Sequence, residues 1–179
     1  MYGIEILNRE HENILTMTEI LRAICIRIMD TKQLPEKDLR RCIHWIREYA
    51  DTHHHGKEEA ILFREMTAHL GPAADKLVNG AMLIEHDMGR FHMQELKKAL
   101  DTKKSDDQTL LDVITHAAGY AELLVRHAGK EDKVVYPFAE RQLAQDILDR
   151  VDKESRAFEE NFDVQPYLEE LSDLAAAYL

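Results

Sequence analysis

Histidines and carboxylates recur at fixed spacing in two halves of the sequence. The first half contains EH at residues 10–11 and HHGKEE at residues 54–59. The second contains EH at residues 85–86 and HAGKED at residues 127–132, in the same order and at nearly the same separation. Imidazole nitrogens and carboxylate oxygens are ligands that transition metals accept in proteins. The repeat therefore predicts a duplicated helical hairpin whose halves face each other and form one site with approximate two-fold symmetry.

Long helices joined by short connections must position these residues. Apolar periodicity predicts four long helical segments, over about residues 4–29, 35–70, 73–100 and 108–135. Pro137 ends or kinks the fourth segment, and shorter helices follow over 138–162 and 166–179. Because short connections make neighbouring helices antiparallel, the predicted fold is all-α, an up-down-up-down four-helix bundle with additional C-terminal helices. We assign residues 1–140 to the bundle and residues 141–179 to a C-terminal helical extension packed on it.

The spacing also predicts which side chains face the core. Each residue of an α-helix is rotated by about 100° from the one before it. One histidine of each long segment falls on the apolar stripe, and two of these histidines are followed one turn later by a glutamate. The inward set is His11, His54, Glu58, His86, His127 and Glu131. His53 and His55 fall to either side of the stripe, so we expect them near solvent or in supporting roles rather than as ligands.

Burying these polar groups without compensation would be costly. An unpaired ionised carboxylate in a core costs several kcal/mol, and two facing carboxylates repel each other as well. A domain of this size has a net stability of only ~5–15 kcal/mol. Two divalent cations would neutralise the glutamates and use each imidazole as a ligand. The six inward residues are therefore predicted to enclose a pair of metal ions.

The pattern resembles the hemerythrin-like, or HHE cation-binding, family over about residues 4–140. The stretches HHGKEEAILF and RHAGKEDKVVYPFAE carry the resemblance. It implies a non-haem di-iron centre of two iron ions with an oxo or hydroxo bridge. In that centre the terminal ligands are His11, His54, His86 and His127, and the residues that bridge the metals are Glu58 and Glu131.

One position departs from the pattern of oxygen-carrying hemerythrins, which place a second histidine one turn after the third-helix ligand. Arg90 stands there in this sequence. The substitution leaves a coordination position for water or another side chain and argues against simple reversible oxygen carriage. Arg90 would pair with a carboxylate near the metals or form a salt bridge elsewhere. Tyr120, on the face of His127, either packs in the core or reaches the site.

Other metal proteins fit the sequence less well. Ferritin-like bundles place a glutamate three positions before a histidine on two helices, whereas here the glutamate follows the histidine by four. Zinc accepts the same ligand types, but a symmetric six-residue set with two candidate bridging carboxylates suits a redox-active pair better than a tetrahedral ion. We therefore rank iron first, with manganese or a mixed pair as alternatives.

Three classes of function follow from such a site. The first is a binding and redox role in sensing, scavenging or storing O2, NO, peroxide or iron, so that O2, NO or peroxide is the expected small-molecule partner. The second is a di-iron enzyme for peroxide disproportionation, NO reduction or iron donation in cluster repair. The third is an interaction bundle in which the metal is only structural.

Composition excludes several other classes. The 179 residues carry 34 acidic and 23 basic side chains, for a formal net charge of −11. This balance argues against binding of nucleic acid and against a polybasic membrane anchor. With no secretory signal and no apolar run of ~20 residues, a cytoplasmic location is expected, with Cys25 and Cys42 as buried reduced thiols. A homo-oligomer is compatible with the sequence.

Overall fold

The computed structural model describes residues 1–179, and all its regular structure is helical. Helix α1 spans Tyr2–Thr31, α2 residues 36–69, α3 residues 71–101 and α4 residues 107–142. Two shorter helices follow, α5 over Gln145–Glu159 and α6 over Gln165–Tyr178. None of these helices combines the length and the apolar character that crossing a membrane requires.

The four long helices form a closed bundle. Helix α1 packs on α2 and α4, and α3 packs on the same two neighbours. The connections are short, covering residues 32–35, residue 70 and residues 102–106, so sequential helices run antiparallel. At the tightest connection Gly71 has φ of 67°, a left-handed conformation that glycine adopts without strain. The predicted all-α, up-down-up-down fold is confirmed.

Three of the long helices contain π-helical segments. In α2 these are Ile46–His55 and Glu58–Phe63, between α-helical stretches over Glu36–Trp45 and Arg64–His69. In α3, Gly71–Leu77 leads through the π-helical Val78–Met82 into Leu83–Asp101. In α4, the π-helical Glu131–Val135 lies between Asp107–Lys130 and Tyr136–Gln142. Hydrogen bonds from residue i to i+5 widen such turns, which occur most often at functional sites.

The alternative that α4 ends at Pro137 is wrong, because the helix continues to Gln142. A π-helical turn directly precedes the proline, which then lies in the first turn of an α-helical segment. Its missing N–H is tolerated there. The chain becomes extended only at Leu143 and Ala144, and the fifth helix therefore begins at Gln145 rather than at the predicted Phe138.

The apolar core is divided into two regions. One is built around residues such as Ile24, Leu39 and Leu96, and the other around residues such as Met66 and Val135. Helix α6 adds its buried leucines to the first region, whereas α5 packs on the second. A layer of buried histidines and glutamates separates the two regions, and both cysteines are buried free thiols.

Candidate metal centre

The structure brings all six predicted ligand residues together between the two apolar regions. His11, His54, Glu58, His86, His127 and Glu131 are each at most 2% exposed. The Nε2 atoms of the histidines lie in two pairs. His11 and His54 approach to 3.1 Å, and so do His86 and His127. One histidine from each long helix therefore points its Nε2 atom into a single buried space.

The two buried glutamates lie among these nitrogens. Glu58 Oε2 is 3.6 Å from Nε2 of His54 and 3.5 Å from Nε2 of His86. Glu131 places one oxygen 3.2 Å from His11 Nε2 and the other 3.2 Å from His127 Nε2. Donor atoms within 4.8 Å of one another form two groups, His11 with His54, Glu58 and Glu131, and His55 with Glu58, His86 and His127. We call these the first and second cation positions, and Glu58 belongs to both.

Four further carboxylates surround the site and orient the four imidazoles, and we call them the outer carboxylates, or the outer ring. Each Nδ1 atom bonds one of them, in the pairs His11–Asp132 (2.7 Å), His54–Glu10 (2.8 Å), His86–Glu59 (2.7 Å) and His127–Glu85 (2.9 Å). These carboxylates are the glutamates of the EH motifs and the last acidic residues of HHGKEE and HAGKED. Bonding of Nδ1 leaves Nε2 free to point inward, as in carboxylate–histidine–metal arrangements.

The site fits a cation because its inward atoms lack partners. When each outer carboxylate accepts the Nδ1 proton, Nε2 presents a lone pair, and two lone pairs 3.1 Å apart repel unless a proton or cation intervenes. Glu58 Oε2 and both oxygens of Glu131 are buried without a hydrogen-bond partner. Burial and the charge of Glu131 raise the pKa of Glu58 to about 8. Although burial opposes it, the hydrogen bond to Asp132 and the nearby carboxylate of Glu131 raise the pKa of His11 to about 10.

Two histidines are more deeply buried than the sequence spacing predicted. His53 and His55 are only 2% and 3% exposed, so of the two predicted alternatives the one that places them near solvent is wrong. Both belong to the π-helical Ile46–His55, where successive residues are rotated by less than the α-helical 100°. Three consecutive side chains consequently cover a narrower arc and all turn inward. His53 serves the outer ring, with Nε2 3.1 Å from Glu10 Oε1.

The lysines of the two repeats have different surroundings. Lys57 is 1% exposed and bonds Glu10 Oε1 at 2.5 Å and Glu159 of α5. Lys130 makes the equivalent pair with Glu85, but its side chain is 49% exposed. Helix α5 therefore covers the outer ring of one half only. Glu159 lies outside the repeat, so no pattern in the sequence indicated its contact with the site.

Tyr136 is a site residue that the sequence analysis missed. Its hydroxyl donates to Glu58 Oε1 at 2.6 Å and lies 3.4 Å from His11 Nε2. Five residues separate it from Glu131, which on an α-helix would turn it away from the core site. The intervening turn is π-helical, however, and its smaller rotation per residue returns Tyr136 to the inner face.

Tyr120 and Arg90 line a cavity next to His55 and His86. Tyr120 is buried, its hydroxyl has no partner, and the cavity has a volume of about 210 Å³. Arg90, at the mouth of this cavity, donates to Glu59 Oε1 and Asp51 Oδ1, each at 2.7 Å. Arg90 therefore pairs with an outer carboxylate, and the cavity runs from its half-exposed side chain to buried imidazoles.

The fold and the paired clusters define a four-helix-bundle protein with a site suited to cations. The model of the hemerythrin HHE cation binding domain matches residues 2–139, and the chain belongs to this family. The resemblance stated from the sequence is thus confirmed, while the ligand role of the six individual residues stays a prediction. The matched segment stops before α5 and α6. No curated protein and no solved structure gives a significant match.

Proposed function

We propose that the protein is a hemerythrin-like di-iron protein that binds or reacts with O2, NO or peroxide, in sensing, scavenging or storage. The residues that would hold the two ions are His11, His54, Glu58, His86, His127 and Glu131. One observation carries the proposal. The Nε2 atoms of the four histidines converge on three buried carboxylate oxygens of Glu58 and Glu131 that have no hydrogen-bond partner, while the Nδ1 atom of each of these histidines is bonded to an outer carboxylate.

The donor set supports a pair of ions rather than one. Two groups of four donors share Glu58, whereas a structural zinc site is a single closed tetrahedron. Hydrogen bonds to the outer carboxylates strengthen imidazoles as donors. Iron in such a site supplies open coordination positions and a change of oxidation state.

The residues around the donors keep the site ordered. Tyr136 holds a proton at Oη, 2.6 Å from Glu58 Oε1, in a space that bulk water does not reach. A hydrogen bond from His86, assisted by Arg90, lowers the pKa of Glu59 to about 2. Glu59 is therefore ionised at neutral pH and keeps the His86 ring in place through its Nδ1 atom.

The proposal is tested by anaerobic reconstitution with ferrous iron. We expect two iron ions per chain and a visible spectrum that changes on addition of O2, NO or peroxide. Glu131→Ala should lower the iron content, whereas Glu122→Ala, at an exposed position of the same helix, should leave it unchanged. Iron-loaded protein whose spectrum does not respond to any of the three reagents would contradict the proposed binding role.

A di-iron enzyme is the second candidate, and the position of Tyr136 favours it. A hydroxyl bonded to Glu58 offers a proton donor at the site, which peroxide disproportionation or NO reduction would require. Steady O2 release from added peroxide, lost in Glu131→Ala and slowed in Tyr136→Phe, would support this candidate. Stoichiometric bleaching of the spectrum without turnover would favour the binding role.

A further inference from the structure

His55 is a buried imidazole with no hydrogen-bond partner. Neither Nδ1 nor Nε2 is bonded, although the residue is only 3% exposed. Asp51 Oδ1 lies 3.6 Å from Nδ1, beyond hydrogen-bond range, and that oxygen already accepts from Arg90. A buried polar group without a partner costs about 1–3 kcal/mol. The position of this ring therefore requires a partner that is neither a side chain nor the backbone.

His55 is surrounded by side chains that can bind a metal ion. One of its nitrogens lies within 4.8 Å of a donor atom on each of Glu58, His86 and His127. Its ring stacks on His86 at 3.8 Å between centroids and meets the His127 ring edge-on at 5.7 Å. Two donors about 2.0–2.2 Å from one ion are separated by up to about 4.4 Å. The four donors are close to this limit, and one ion could be shared by all of them once the stacked His55 and His86 rings tilt towards it.

The duplication breaks at this residue. The equivalent position of the second repeat is Ala128, in a stretch where α4 is regularly α-helical. In α2 the π-helical turn extends through His55 and directs it inward. Both the side chain and the backbone thus differ between the repeats at this point. A packing role alone would not need two ring nitrogens here, since Ala128 fills the equivalent position without them.

We propose that His55 is a fifth imidazole ligand, binding the ion at the second cation position together with Glu58, His86 and His127. The inference rests on the proposed metal pair and goes beyond it, because it makes the two ions inequivalent. The second position gains a third imidazole and borders the cavity beside Arg90 and Tyr120. A small ligand that enters this cavity meets the second ion first.

Cobalt titration of the metal-free protein tests this assignment. The affinity of each ion is measured by calorimetry, and its ligand field by visible absorption of Co²⁺. The wild type should bind two Co²⁺ ions. His55→Leu should weaken one of them at least about tenfold and change its spectrum, while the other ion binds as before. His116→Leu is the matched control, since it makes the same change at a half-buried position away from the site.

A purely packing role gives different results. Urea unfolding of metal-free His55→Leu should show stability equal to or above the wild type, because two partnerless nitrogens are removed. Two ions bound with wild-type affinity, or weaker binding accompanied by lower metal-free stability, would overturn the assignment. If His55→Leu does not fold, His55→Gln replaces it with the same criteria. Wild-type protein that binds fewer than two Co²⁺ ions would overturn the proposed metal pair itself, and His55 with it.

Discussion

Replacing Lys57 by methionine should destabilise the protein far more than the same replacement at Lys130. The two lysines occupy equivalent positions of the repeat and pair with equivalent glutamates, Glu10 and Glu85. Their environments differ, since Lys57 is 1% exposed and Lys130 has a side chain that is 49% exposed. The comparison therefore measures the effect of burial on stability while the chemistry of the ion pair stays the same.

The expected magnitudes follow from that difference. Breaking a buried ion pair by removing one partner costs about 3–5 kcal/mol. Glu10 keeps its bonds to His53 at 3.1 Å and His54 at 2.8 Å, so we expect the lower end, about 3 kcal/mol. An exposed pair contributes about 0–1 kcal/mol, which bounds the effect at Lys130. For a chain of this size the midpoint should fall by about 6–12 °C for Lys57→Met and by under about 4 °C for Lys130→Met.

Urea unfolding and thermal unfolding of the metal-free variants measure both values. Metal-free protein is required because a bound cation would add its own stabilisation to the comparison. Equal losses for Lys57→Met and Lys130→Met would refute the reasoning, since α5 would then give no effective burial to the first pair. A loss below about 1 kcal/mol for both would show that neither lysine needs its glutamate for folding.

Two further predictions concern groups inside the site. Tyr136→Phe removes the hydrogen bond to Glu58 Oε1 and should lower the free energy of unfolding by about 1–3 kcal/mol, as measured with urea. Tyr2→Phe is the control, because the half-buried ring of Tyr2 packs against Arg156 instead. An unchanged free energy of unfolding for Tyr136→Phe would contradict the role of that bond. Metal-free protein should lose stability as the pH rises from 6.5 to 9. In the folded state the pKa is about 10 for His11 and about 8 for Glu58, above the values of 6.5 and 4.5 in the unfolded chain. The folded state therefore holds protons that the unfolded chain releases over this range. Urea midpoints at the two pH values test this, and a flat or rising profile without metal would contradict it.

The repeat in the sequence was enough to predict the fold class and the residues that meet in the site. Helical periodicity correctly predicted His11, His86 and His127, which lie in regular α-helical segments. It also predicted the inward direction of His54, Glu58 and Glu131, although these residues belong to π-helical segments. An inward histidine on each of the four helices and an inward glutamate on two of them also required compensation, whatever the details of packing. The physical cost of burial thus led to the cation site.

The misplaced residues all depend on backbone that does not follow the α-helical period. His53, His55 and Tyr136 turn inward because π-helical turns precede or contain them, and no residue type signals such a turn reliably. The outer carboxylates were visible in the motifs, but their partners lie on other helices and depend on tertiary packing. The contact from Glu159 comes from α5, outside the repeat and outside the matched domain.

The short connection at Gly71 joins the two repeated hairpins, and its position bears on how the bundle can open. One hairpin lies before this glycine and the other after it, and a single residue separates their helices. Each cation position draws donors from both hairpins, since Glu131 completes the first and Glu58 contributes to the second. An ion bound at either position would therefore cross-link the two repeats, and the hairpins could separate only after it had dissociated.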